Sequence, residues 1–186
     1  MPRHVALLRG INVGGHNKVA MADLRQIATD LGYTDVSTYI QSGNLLFASD
    51  EGDTAVLAAA LGRRIAERLN VRPAVVVISA AELAQVIADN PFPHAADPRL
   101  VHAVFRNDEH SESGLAAIAA AAAAARASGS GDEAVVVGRT LFLHTPDGFG
   151  RSQLAGQLVA SSAQASGTAR NWATVTKLMT LLTGEG

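Results

Sequence analysis

Apolar residues recur along this chain with two periods, and those periods predict its elements. His4 to Arg9 is a short apolar run closed by Gly10 and reads as a buried strand. Met21 to Leu31 places Leu24, Ile27, Ala28 and Leu31 at helical spacing, and Gly32 supplies the stop. Val36 to Gln41 and Asn44 to Ser49 are β-rich runs parted by Ser42-Gly43, the signature of a two-residue hairpin turn. A second helix covers Thr54 to Leu69, and the Val/Ile run Ala74 to Ser79 follows Pro73 as a fourth strand. The order is βαββαβ, that of a ferredoxin-like split unit.

Ala81 to Asn90 reads as a linking helix that ends in the proline-rich stretch Asn90 to Pro98. The order then restarts. Leu100 to Arg106 is a strand, Gly114 to Ala127 an alanine helix, and Ala134 to Val137 with Thr140 to His144 a hairpin over Gly138-Arg139. Helices follow at Gln153 to Ser161 and Ala169 to Leu182. The expected fold is therefore α+β: two ferredoxin-like (split βαββαβ-type) subdomains with mainly antiparallel sheets and additional C-terminal helices. Their expected limits are residues 1–80 and 99–186, joined by 81–98. "LLRG" (7 to 10) and "VFRN" (104 to 107) take the same place in the two halves, which points to a distant duplication, although the last helix has no counterpart strand.

Composition narrows the chemistry. The 186 residues include no Cys, so disulfides, thiolate metal sites and cysteine nucleophiles are excluded. The six histidines form neither H-E-x-x-H nor a close pair, so neither a metal site nor a cofactor is implied. Lys+Arg 15 against Asp+Glu 17 gives a net charge of -2, which supplies no global field for nucleic acid or an anionic membrane. The apolar run Val5 to Leu8 is too short for a signal-peptide core, and Leu115 to Ala125 is too short to span a bilayer. A cytoplasmic protein with no membrane partner is expected.

Chemistry-bearing residues concentrate in "RGINVGGHNKVAM" (9 to 21). In a split βαββαβ unit the third strand lies between the first two and antiparallel to both. The carboxyl ends of the first two strands then share an edge, which brings together the opening loop, the turn Gln41-Ser42-Gly43-Asn44 and the approach to the fourth strand, Asn70 to Pro73. Arg9 and Lys18, loop amides around Gly14 and Gly15, and the start of the first helix suit a phosphate or carboxylate there. The glycines match neither G-x-x-x-x-G-K-[ST] nor G-x-G-x-x-G, and on the simpler reading they only supply positive φ angles.

The segments "ALLRGINVGGHNKVAMADLR" (6 to 25), "STYIQSGNLLF" (37 to 47), "NPF" (90 to 92), "PDGFGRSQL" (146 to 154) and "TARNWATVTKL" (168 to 178) resemble a bacterial family, domain of unknown function 1697. The resemblance implies an α+β protein with two ferredoxin-like subdomains and no established activity. It carries over Arg9, Asn12, Gly14, Gly15, Lys18, Ser42, Gly43, Asn44, Ser152, Arg170, Asn171, Trp172, Thr174 and Lys177 as motif residues without a known role. Ala173 departs from it, standing where the family tends to have Asn.

Outside the opening loop, Arg170, Thr174 and Lys177 fall on one face of the expected last helix, and Thr168 is its expected cap. Arg170 in a first helical turn opposes the dipole unless an anion answers it. Ser152 is a helix cap or, with Arg151, a ligand grip; Leu154 rules out a G-x-S-x-G elbow.

The leading expectation is a binding module for a phosphorylated or anionic small molecule, using Arg9, Asn12, Gly14, Gly15, Lys18, Ser42, Gly43 and Asn44, with Arg151, Ser152, Arg170, Asn171 and Lys177 as further candidates. The alternatives are an enzyme with His16 or Ser42 as acid–base or nucleophile, a nucleic-acid binder, and a purely structural protein. The strands lack the paired aromatics that stack bases, which disfavours nucleic acid. Oligomeric state is not legible.

Overall fold

A computed structural model describes residues 1–12, 17–160 and 167–184. The chain divides into two compact units, Met1–Gln85 with Leu178–Gly186, and Val86–Lys177. In the first unit β1 (Arg3–Leu8), α1 (Met21–Asp30), β2 (Thr34–Tyr39), β3 (Asn44–Ala48), α2 (Thr54–Leu69) and β4 (Val75–Ser79) follow in order, before α3 (Ala80–Ala88). The sheet order is β2-β3-β1-β4, and every pair is antiparallel.

Local chemistry sets these limits. Asp53 caps α2, accepting from the Ala55 and Val56 amides at 2.8 and 3.3 Å, and Asn70 ends it in the left-handed region. One sheet face, with Ala6, Leu8, Leu45 and Phe47, packs against Leu24 and Ile27 of α1 and Leu61 and Ile65 of α2. Each of those four helical side chains is fully buried and contributes about 1.5–3 kcal/mol. Tyr33 stacks on Phe47 at 4.5 Å, and His4 lies at 5.6 Å on the same ring. Val5, Leu7, Leu46 and Val76 alternate to the opposite face and are buried too.

The second unit repeats the plan with β5 (Val101–Phe105), α4 (Glu112–Ala127), β6 (Glu133–Val137), β7 (Thr140–His144), α5 (Gln153–Ala160) and β8 (Thr168–Asn171), and α6 (Trp172–Thr183) follows, its residues from Leu178 onward belonging to the first unit. Its sheet order, β6-β7-β5-β8, is that of the first. Val104, Leu141 and Leu143 pack against Ile118 of α4 and Leu154 and Leu158 of α5.

Four expectations need correction. Thr168–Asn171 is a strand, not the start of the last helix: it pairs with β5 through Phe105↔Thr168 to His102↔Asn171, so the second unit does have its fourth strand. The helix begins at Trp172, and Asn171, not Thr168, caps it by accepting the Thr174 amide at 2.8 Å. The first hairpin turn holds four residues, Ile40 to Gly43, closed by Tyr39↔Asn44. The "LLRG" and "VFRN" positions also differ by one residue in register, because Arg9 continues the Val5–Leu7 face while Arg106 continues the Val104 face beside α4. A one-residue slip exchanges the faces of a strand.

Gly43 joins the hairpin to the core. Its φ is +78°, its carbonyl accepts from the Leu8 amide at 2.8 Å, and a Cβ there would lie 2.7 Å from Ile11 Cδ1 and 2.9 Å from Leu8 Cβ. Gly43→Ala combines a strained conformation with overpacking and is expected to destabilise by about 2–4 kcal/mol, read from urea denaturation. An unchanged midpoint would mean that the turn yields.

In the second unit His102 stacks on Phe149 at 4.0 Å, and burial pushes its imidazole down to about 4 from an ordinary 6.5. The unfolded chain therefore takes up a proton near pH 6.5 that the folded chain refuses until about pH 4. Stability falls across that window, by about 1–2 kcal/mol once solvent screening is allowed for. His102→Phe keeps the stack and is expected to flatten the fall, measured as urea midpoints at pH 7 and 4.5.

Candidate functional site

The loop after β1 is anchored at both feet. Ile11 and Val19 are buried in the core of the first unit, on either side of the polar segment. Between them Asn12, with φ +55°, uses its side chain as a clasp. Its Oδ1 accepts the Val19 amide at 2.9 Å, while Nδ2 donates to the Val19 carbonyl at 2.9 Å and to the Gln41 carbonyl at 3.0 Å. Asn17, also at positive φ, donates from Nδ2 to the Gly10 carbonyl at 3.0 Å, and the Asn12 amide meets the Asn17 carbonyl at 3.1 Å. The opening loop and the β2–β3 turn, far apart in sequence, thus share one edge.

An open cavity of about 510 Å³ lies at that edge, lined by Asn12, Lys18, Val19, Ala20 and Gln41. Ala20 is also the N-cap of α1 and makes no side-chain capping bond. The first-turn amides of α1 therefore have no side-chain acceptor at the cap, in the wall that carries Lys18. Such an end attracts anions.

Other expected site residues are used differently. Asn44 is fully buried and donates to the Tyr39 carbonyl at 2.9 Å and to Ser42 Oγ at 3.1 Å, so it braces the turn from within. An amide cannot take a proton from Ser42. Gly43 is packing, as described above. The Arg9 amide donates to the Ala74 carbonyl at 2.9 Å, and its side chain follows the face of Val5 and Leu7. Gly14, Gly15 and His16 lie outside the described residues.

The remaining candidates belong to the second unit. Ser152 Oγ accepts the Ala155 amide at 2.9 Å and donates to Asp132 at 2.7 Å, which makes it the cap of α5; Arg151 Nε donates to the Asp147 carbonyl at 2.7 Å. Arg170 lies in β8, not in a helix, so its expected conflict with a helix dipole disappears. It is buried, donates to Thr168 Oγ1 and the Ala169 carbonyl at 2.8 Å, and desolvation pushes it down to about 10. Asn171 caps α6, and Lys177 is exposed on it. Sequence reasoning passed over Ala20, whose signal was a negative one: no Ser, Thr, Asp or Asn precedes Met21 at the cap position.

Among the described residues no three His, Asp or Glu side chains group closely enough to hold a metal ion, and no helix is long and apolar enough to cross a membrane. No curated protein matches the chain. Among solved structures it is similar to the conserved bacterial protein SP0830 from Streptococcus pneumoniae, with a TM-score of 0.73 and 25% identity over 97% of this chain and 98% of that one. The family model described as "Protein of unknown function (DUF1697)" matches residues 1–142, which include the loop and the turn that line the cavity, and the chain belongs to that family.

Proposed function

We propose that the protein binds a phosphorylated or otherwise anionic small molecule, of about nucleotide size, at the loop edge of the first sheet. The observation that carries this reading is the start of α1 at Ala20, without a side-chain cap, in the same cavity wall as Lys18. Lys18 supplies the charge, the first-turn amides of α1 supply directed donors, and the Gln41 side chain adds a neutral polar contact. A volume of about 510 Å³ suits a ligand of that size. Asn12 positions the loop and has its hydrogen-bonding groups occupied, so it is a scaffold residue here. Arg9 is the less direct contributor, because strand alternation carries it to the face of Val5 and Leu7. Catalysis by His16 or Ser42 is not part of the proposal. A cytoplasmic location goes with it, since charge retains phosphorylated small molecules inside cells.

Thermal shift with a panel of nucleotides, sugar phosphates and carboxylates tests the reading. A ligand that raises the wild-type midpoint is expected to bind Lys18→Ala about tenfold more weakly, the loss of one charge-assisted bond, and Arg9→Ala less so. A panel without effect on the wild type, or a ligand indifferent to Lys18→Ala, would overturn it.

A further inference from the structure

The first unit has a second open cavity, of about 500 Å³, lined by Gly62, Arg63, Ala66, Glu67, Arg72 and Pro73. It stands between the C-terminal half of α2 and the segment leading to β4, next to Ala74, whose carbonyl receives the Arg9 amide. Its charges are unbalanced. Glu67 is answered by Arg64 at 3.4 Å, and the neighbouring Arg68 by Asp30. Arg63 and Arg72 are exposed, and among the described residues neither side chain has a hydrogen bond or ion pair. Arg63 and Arg72 thus line one open space whose single carboxylate, Glu67, is paired with Arg64.

The backbone holds them there. Asn70, at φ +52°, closes α2 by donating its amide to the Ala66 carbonyl at 3.1 Å and turns the chain back. Pro73 restricts Arg72 to extended conformations. Gly62 exposes bare backbone at the cavity, and packing does not demand a glycine: a Cβ there would make ordinary contact with Val75 at 3.8 Å. Inside a helix glycine is unfavourable relative to alanine, so the residue costs stability that no neighbour requires.

We propose that this cavity is a second anion site, separate from the one at Lys18, which takes the phosphate group of a small molecule between Arg63 and Arg72. Guanidinium forks match tetrahedral phosphate oxygens bidentately, and one dianion relieves the repulsion between the two cations.

Amide spectra of the full chain, titrated with sodium phosphate against sodium chloride at matched ionic strength, test it. Saturable shifts of the Gly62 and Ala66 amides are expected with phosphate alone. Arg63→Gln and Arg72→Gln are each expected to weaken them about tenfold, whereas Lys18→Ala leaves them unchanged. The amides of Lys18 and Ala20 report the other cavity, so either site can fail by itself. Gly62→Ala, which keeps both charges and favours the helix, is expected to melt higher yet bind phosphate more weakly. Shifts that follow ionic strength alone, or that persist unchanged in the arginine variants, would overturn the proposal. So would arginine variants that melt lower by equal amounts in phosphate and chloride, because the two cations would then merely serve the C-terminal dipole of α2.

Discussion

One side-chain amide holds the functional edge of the first unit together. Asn12 donates to two backbone carbonyls and accepts one backbone N–H, joining the loop, Val19 just ahead of the α1 cap and the β2–β3 turn. Each of those groups would otherwise need another partner, at about 1–3 kcal/mol for a buried one left unsatisfied. Asparagine suits the place because it tolerates positive φ better than most residues and carries donor and acceptor on one short stem. The cavity follows from this clasp: its walls come from the segments the clasp joins.

Burial explains why polar motif residues collect at strand ends. β1, β3 and β4 are central or flanking strands with both faces covered, and Val5, Ala6, Leu7 and Leu8 are all at most 1% exposed. Between their ends such strands have no side-chain position left for a charged group that must meet solvent. Functional polarity can enter only where a strand stops, at Arg9, at the Ile40–Gly43 turn and at Arg72-Pro73.

Much of the fold was legible because strong local stops bound its elements. The limits of α2 follow from Asp53 and Asn70, and those of β7 from the Gly138-Arg139 turn before it and Pro146 after it. β8 was not legible for the opposite reason. Its four residues abut α6 without a break, and Ala169 at helical spacing from the apolar residues that follow extends the helix pattern backwards. The Asn171 cap was the available sign of the true start. Recognising the strand makes the two units alike in sheet order, which the sequence, with "LLRG" and "VFRN" one residue out of register, only hinted at.

The site was legible in its location and much less so in its roles. The crossover rule alone puts the opening loop beside the β2–β3 turn, since it depends on chain order and handedness. It cannot say whether a polar side chain faces outward or inward. Asn12, Ser42, Asn44 and Ser152 have the right chemistry for a ligand, and the same chemistry closes turns and caps helices, which is where the structure uses them. Lysine and arginine are less versatile, having donors only, and a cation without a nearby acceptor is therefore the sharper indicator. By that standard the net charge of -2 is misleading, because Glu67 and Asp30 are already engaged with Arg64 and Arg68. Arg63 and Arg72, nine residues apart in sequence and outside any recurring motif, come into one space only through the turn at Asn70, so their pairing is a property of the fold and not of the chain.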